Sequence, residues 1–312
     1  MSVYEIGNLF VTVEGDYTPD PGGYATPFAR ERLPEGCPPS AILPVRLAWG
    51  NVAALAACPE PEGIHCRRDG LNGLRSTPQG LALLSTVGRA GYALASFPER
   101  IRETGEIDIL VDPRIAGEKP LPVGNLMARV GLHRALLTRD RPVVHAAYVD
   151  ISKSKISHFG IDSSDEPGCI LFMAPSGVGK STQAALWERY GGGEIVNGDR
   201  ALLSFDENGR LLAHGYPACG SSDICLDRTR PVRLIVTLEQ GAENAVTRLS
   251  VAAATRAVFA ATLQYRWDAW ETERALELAA QVAASVPVLH LSCRPDQGAV
   301  EVVREYLGEK TT

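Results

Sequence analysis

No apolar run in the 312 residues reaches the ~18 needed to cross a bilayer, so no transmembrane helix is expected. The opening residues, MSVYEIGNLFVTVEGD, carry acidic side chains and no basic stretch ahead of an apolar run. They do not read as a secretory signal. No C-x-x-C pair occurs. The seven cysteines (37, 58, 66, 169, 219, 225 and 293) are odd in number and, without export, read as reduced thiols of a cytoplasmic protein. Neither Cys219 with Cys225 nor His290 with Cys293 has a second ligand pair at zinc spacing, so small buried hydrophobes are the plainer reading. Internal repeats and low-complexity tracts are missing too. The net charge of −6 excludes nucleic-acid binding by bulk electrostatics. Lysine is scarce, five among 31 basic residues, so each one retained draws attention.

What remains is ordinary globular material: 45% hydrophobic and 22% charged residues, enough for a real core. At about 150 residues per domain the length fits two domains. Residues 1–120 read as a turn-rich α+β region. Short strand-like runs at 9–13, 42–47 and 107–111 alternate with Pro/Gly clusters, and 79–95 is a helix candidate. Pro44 makes the middle run an edge strand at best. From 121 to 312 the pattern alternates. An amphipathic helix is expected at 126–137, a strand at 142–149, a polar loop or hairpin at 151–168 and a strand at 169–174. A glycine loop, a helix at 183–190, a strand at 194–199 and a hairpin at 201–214 come next. After these come a strand at 234–238, two helices meeting near Trp267 within 251–284, a strand at 287–291 and a helix at 298–307. Such alternation implies an α/β core. Tyr265, Trp267 and Trp270 read as helix-packing aromatics.

The strongest signal is Ala174-Pro-Ser-Gly-Val-Gly-Lys-Ser181, a match to G-x-x-x-x-G-K-S/T with Ala174 in place of the first glycine. An apolar strand before it and a helix after it supply the context such a loop needs. Ser176, Gly177, Val178, Gly179, Lys180, Ser181 and Thr182 are the candidate nucleotide-binding residues. The glycines let the chain wrap its N–H groups around an anion, and the following helix adds its positive end. Lys180 can reach the β- and γ-phosphates, and the Ser181 hydroxyl can sit on Mg²⁺. A phosphate loop also needs a carboxylate for metal or nucleophile. Asp199 and Glu239 both end strands, and Asp199 has the better spacing. Gly220, Ser221 and Ser222 lie in a turn that can line a substrate site or be plain surface. Arg228, Arg230 and Arg233 flank Pro231; Arg228 can clamp a phosphate, although a solvated basic stretch is the commoner outcome. By pattern alone, His145 on its apolar strand reads as a core histidine.

Together these residues form a recognisable set: His-Ala-x-x-Val (145–149), P-S-G-V-G-K-S-T (175–182), and the pair Asp199 and Arg200. The set resembles the C-terminal kinase domain of HPr kinase/phosphorylase and its bacterial relatives, a domain similar in fold to PEP carboxykinase. Residues 183–203, 215–225, 231–240 and 286–296 most closely resemble the small HPr-kinase-like proteins found beside peptide-modification cassettes. The resemblance spans roughly residues 130–307. It implies a P-loop kinase domain using ATP, or another nucleoside triphosphate, and Mg²⁺. It makes Asp199 the residue near metal and acceptor hydroxyl, and Ser181 and Asp199 the metal ligands. It turns His145 into a site residue close to the reacting phosphate, so the catalytic candidates are Asp199, His145 and Lys180. The implied partner is a hydroxyl-bearing acceptor, with a ribosomally made precursor peptide in view. Three departures stand out: Gly198 replaces the first Asp of an Asp-Asp-Arg motif, Pro175 stands where the family carries Asp, and the segment linked to phosphorolysis has no match. These argue against HPr as acceptor and against phosphorolysis. Gly198 and Ala174, both departures from the pattern, also keep open a nucleotide-binding regulatory or interaction module that transfers nothing and whose residues 1–120 bind a partner; in the kinase reading those residues are the candidate acceptor-binding region.

Overall fold

The structure is a computed structural model that describes residues 1–64, 72–152, 168–220 and 222–309. It is a mixed α/β protein of two compact units: Met1–Asp140 with Gln264–Thr272, and Arg141–Leu263 with Glu273–Thr312. Among the described residues no helix is long and apolar enough to cross a membrane.

In the first unit, β1 (Ser2–Ile6) and β2 (Leu9–Gly15) form a hairpin. Gly7 and Asn8 turn it at positive φ, the handedness that matches strand twist. β3 (Ala29–Arg30), β4 (Ile42–Trp49) and helix α1 (Val52–Ala56) come after it. Next are β5 (Asn72–Thr77), β6 (Gly80–Thr86), β7 (Tyr92–Ser96), helix α2 (Pro98–Thr104) and β8 (Ile107–Val111). Helices α3 (Val123–Arg129) and α4 (Leu132–Leu137) complete the run. The eight strands make one sheet, ordered β3-β1-β2-β4-β8-β7-β6-β5, in which β2, β4 and β8 are parallel.

Three expectations fail here. β4 is interior, not an edge. Its ladder to β8 begins only at Val45, so Pro44 owes that neighbour no donor. Residues 79–95 are not a helix but the hairpin β6–β7. Both faces of β6 are buried, so the alternation that marks a strand is erased, and Gly88 and Gly91 make the turn at positive φ. The helix expected at 126–137 is two helices, broken at Gly131 with φ 118°.

The division of the chain lies at 140/141, beyond the expected 120/121, because α3 and α4 belong to the first unit. The Ser96 hydroxyl donates to the Val130 carbonyl. Arg134 is fully buried: its Nε donates to the Pro98 carbonyl, and its other nitrogens pair with Asp268 at 2.5 Å and with Glu271. Trp267 and Trp270 lie over the guanidinium at 5.9 and 5.3 Å. These aromatics therefore cover a buried cation rather than simply packing helices together.

The second unit contains β9 (Val143–Asp150), β10 (Cys169–Met173) and α5 (Lys180–Leu186), extended by a wide turn at Trp187–Gly191. It continues with β11 (Glu194–Asn197), β12 (Arg200–Phe205), β13 (Leu211–His214), β14 (Thr229–Gln240) and β15 (Ala245–Arg248). Helix α6 (Val251–Ala261), helix α7 (Ala269–Ser285, whose residues 269–272 belong to the first unit), strand β16 (Val288–Cys293) and helix α8 (Gly298–Glu309) are the last described elements. Residues 153–167, most of the expected polar loop, lie outside the described residues. Strands β10, β14 and β16 run parallel. The twelve-residue β14 pairs with β13 through its first residues and with β10 through its later ones, so the ladders β9-β12-β13-β14-β10-β9 close a ring. One apolar cluster, with Tyr148, Leu171, Leu203 and Ile235, fills one face of this sheet. Ala147, Phe172, Trp187 and Leu234 belong to the cluster on the other face, with α5.

Candidate functional site

The loop that leaves β10 turns through two glycines at positive φ, Gly177 at 83° and Gly179 at 127°. A Cβ at either would meet nothing within 4 Å. Glycine is required there by backbone conformation, not by crowding. Lys180 opens α5 and is 7% exposed. Its Nζ donates to the carbonyls of Ala174 (2.9 Å) and Pro175 (3.3 Å), and burial pulls its pKa below the ordinary lysine value while the charge of Asp199 opposes that shift.

The facing wall is assembled from segments remote in sequence. β9 pairs with β11 along residues 148–150 and with β12 along 143–145, so the chain must kink between them. Asn197-Gly-Asp199 makes the kink. The buried Asn197 side chain accepts from the amides of Asp199 (3.0 Å) and Arg200 (2.8 Å) and donates to the carbonyls of Tyr216 and Ala218. Four hydrogen bonds from one carboxamide fix both the strand end and the segment before Cys219. The Ala146 amide donates to the Asp199 carbonyl, and Arg200 pairs with His145 across the ladder.

The result is a cleft of about 270 Å³ lined by Ser176, Gly177, Gly179, Lys180, Ser181, Thr182, His145, Gly198, Asp199, Cys219 and Ser222. His145 Nε2 lies 3.1 Å from Asp199 Oδ1, and Arg200 Nε lies 3.3 Å from Oδ2. An ionised carboxylate only accepts, so the imidazole proton in this contact sits on Nε2. The hydrogen bond from His145 holds the Asp199 carboxyl below the usual range; burial opposes, and the charges of His145, Arg200 and Lys180 assist. Asp199 is therefore ionised at neutral pH and a weak base.

Gly198 has a spatial explanation. A Cβ there would lie 2.3 Å from the Ser222 Cβ and 2.5 Å from its Oγ. Ser222, whose hydroxyl donates to the Cys219 carbonyl, fills the room a side chain at 198 would need. Gly220, at φ 59°, packs against the Asp199 carboxyl; a Cβ there would lie 2.8 Å from Asp199 Cγ.

The candidate residues thus separate. Loop and strand candidates meet in one cleft, apart from Val178, which does not line it. Arg228 does not line it either. It is tied to Asp150 (3.0 Å) and Glu194 (2.7 Å), where with Arg230 it neutralises a buried carboxylate. Ser221 lies outside the described residues. Glu239 is exposed and pairs with His290 at 2.9 Å, away from this cleft. Sequence reasoning misses Asn197 and Cys219 as site residues. For Asn197 the Asn-Gly-Asp turn is the one signal.

Among the described residues no three His, Cys, Asp or Glu side chains cluster as a metal site. Ser181 and Asp199 nonetheless put two oxygen donors in the same cleft. That donor set fits Mg²⁺, which keeps waters and takes phosphate oxygens, and does not fit a metal needing a closed protein cage.

No family model matches the chain. No curated protein matches it. Among solved structures it is similar to the Hpr(Ser) kinase/phosphatase from Coxiella burnetii, at 13% identity and a TM-score of 0.28, covering 54% of this chain and 89% of that one. A likeness at that score carries no weight for activity, and the chemistry of the cleft rests on its own residues.

Proposed function

We propose that the cleft binds a nucleoside triphosphate, ATP first among them, and transfers its γ-phosphoryl group to a Ser/Thr-type hydroxyl of a peptide, protein or small molecule. One observation carries the reading: a glycine loop with Lys180 and Ser181 shares a single cleft with an ionised carboxylate braced by an imidazole and a guanidinium. The loop amides hold the phosphate chain. Lys180 exchanges its loop carbonyls for phosphate oxygens and offsets their charge. Asp199 accepts the hydrogen bond of the incoming hydroxyl and aligns its oxygen with the γ-phosphorus. The new O–P bond forms as the bridging P–O bond to the departing nucleoside diphosphate breaks, and the hydroxyl proton passes to Asp199 or to water. A weak base suffices, because a loose transition state keeps the proton on the nucleophile until late. His145 and Arg200 hold the carboxylate in place. Mg²⁺, when bound, would draw charge off the phosphate oxygens, with Ser181 and Asp199 as its protein ligands.

A second reading, a nucleotide-binding module without transfer, draws on Gly198. It leaves Asp199 as the one carboxylate lining the cleft among the described residues. Incubation with γ-labelled ATP, Mg²⁺ and candidate acceptors separates the two. Label on an acceptor supports the kinase. Tight ATP binding with neither acceptor label nor ADP formed supports the module. The sequence resembles proteins encoded beside peptide-modification cassettes, so a precursor peptide with a free Ser or Thr is the first acceptor to try.

A further inference from the structure

The same loop borders a second cavity. It measures about 390 Å³, shares Gly177, Gly179 and Thr182 with the first, and adds Val178, Gln183, Leu238, Cys293 and Pro295. It lies where the parallel strands β10, β14 and β16 all end at their carboxyl sides, the place where open α/β sheets hold ligands. A phosphate chain held by the loop has two ends. Asp199 and His145 stand at one of them, the end that reacts. The remainder of the donor must leave from the other, and the wall the two cavities share is the loop itself.

Accepting that the first cleft holds the triphosphate, we propose that the second holds the nucleoside, base and ribose, of the donor. Its volume falls within the range of small-molecule sites, about 300–1,000 Å³. Val178, Leu238 and Pro295 give apolar surface for the faces of a heterocycle. Gln183 gives the polar edge. It is 2% exposed, its Nε2 donates to Cys293 Sγ at 3.2 Å, and its Oε1 has no partner among the described residues. An acceptor left unpaired in that setting is matched by the exocyclic amino group of a nucleobase.

Cys293 supplies the test, since it lines this cavity and not the first. The full-length protein is alkylated with N-phenylmaleimide, and the peptide containing Cys293 is monitored by mass spectrometry. Saturating ATP should slow that reaction at least tenfold. Saturating inorganic tripolyphosphate, which fills the loop alone, should not slow it. Conversely, protein already modified at Cys293 should bind tripolyphosphate as before and ATP at least tenfold more weakly. On Cys293→Ser protein the same treatment should make no difference, treated and untreated forms of that variant binding ATP equally. If ATP and tripolyphosphate compete for the loop while Cys293 reacts equally fast with and without ATP, the nucleoside assignment is overturned and the kinase reading stands. If neither ligand binds, both fall.

Discussion

The two walls of the proposed catalytic cleft are built in opposite ways. The loop wall, residues 174–182, is one continuous segment whose shape is set by backbone conformation: two glycines at positive φ with open space around them. The facing wall gathers His145, residues 197–200, and Cys219, Gly220 and Ser222 from three stretches of chain, and its shape is set by packing and by the hydrogen bonds of one buried asparagine. A local device can be read and altered by itself. An assembled one fails through its supports.

The largest expected effect tests the division of labour. Asp199→Asn keeps size and hydrogen bonding but removes the charge, so phosphoryl transfer to the acceptor should fall by about 10²–10⁴. Nucleotide affinity, measured by titration, should stay within a few fold because the loop wall is intact. The same variant has a pH signature. The folded pKa of Asp199 is depressed, so its ionised form stabilises the fold above the ordinary carboxylate value of 3.8. That contribution is lost as pH falls through the lowered pKa. Asp199→Asn should therefore be less stable than the parent at neutral pH, the difference closing in acid. Near-parental transfer by Asp199→Asn would remove Asp199 from the chemistry.

Lys180→Ala addresses the other wall. It removes the ammonium that meets the phosphates, a charge-assisted contact worth about 1.5–3 kcal/mol, so nucleotide affinity should drop about ten- to a hundredfold. The fold should hold. Equal ATP affinity for parent and variant would break the comparison at its simpler end.

Asn197→Ala asks whether a support can disable the assembled wall. It strips partners from two buried carbonyls and two amides, with an expected loss of about 1–3 kcal/mol in denaturant unfolding. Transfer should fall with it while tripolyphosphate binding stays level. A variant stable and fully active would show that Asp199 does not depend on this carboxamide.

How far the sequence can be read obeys the same contrast. The loop, its flanking strand and helix, and the hairpin at 201–214 depend on neighbours in sequence, and their expected places agree with β10, α5, β12 and β13 to within a few residues. Asp199 stands out because a strand ends beside it. Asn197 does not, because its value lies in carbonyls of residues 216 and 218. The same holds for β6, whose burial on both faces imitates a helix, and for Arg134, whose counter-charges sit at 268 and 271. Gly198 reads in sequence only as a missing carboxylate; nothing there pairs it with its neighbour Ser222.

The smallest effect is the sharpest, because one chemical change is made on both walls. Gly177→Ala puts a Cβ into open space but on a left-handed backbone, which costs about 1–2 kcal/mol whatever surrounds it. Gly198→Ala carries no such conformational penalty, since its φ is not positive, but its Cβ falls on Ser222; overpacking of that kind costs about 1–3 kcal/mol. Alone, the two variants should be hard to tell apart in denaturant midpoint. Adding Ser222→Gly should separate them. It removes both atoms that collide with the new methyl group, so it should restore Gly198→Ala toward the stability of Ser222→Gly itself. It should do nothing for Gly177→Ala, whose trouble lies in its own backbone. A double-mutant cycle on each pair, read from unfolding curves, gives the coupling directly: close to the full overpacking term for 198 with 222, and near zero for 177 with 222. Equal couplings would mean that the two glycines are needed for the same reason and that the contrast between the walls is wrong.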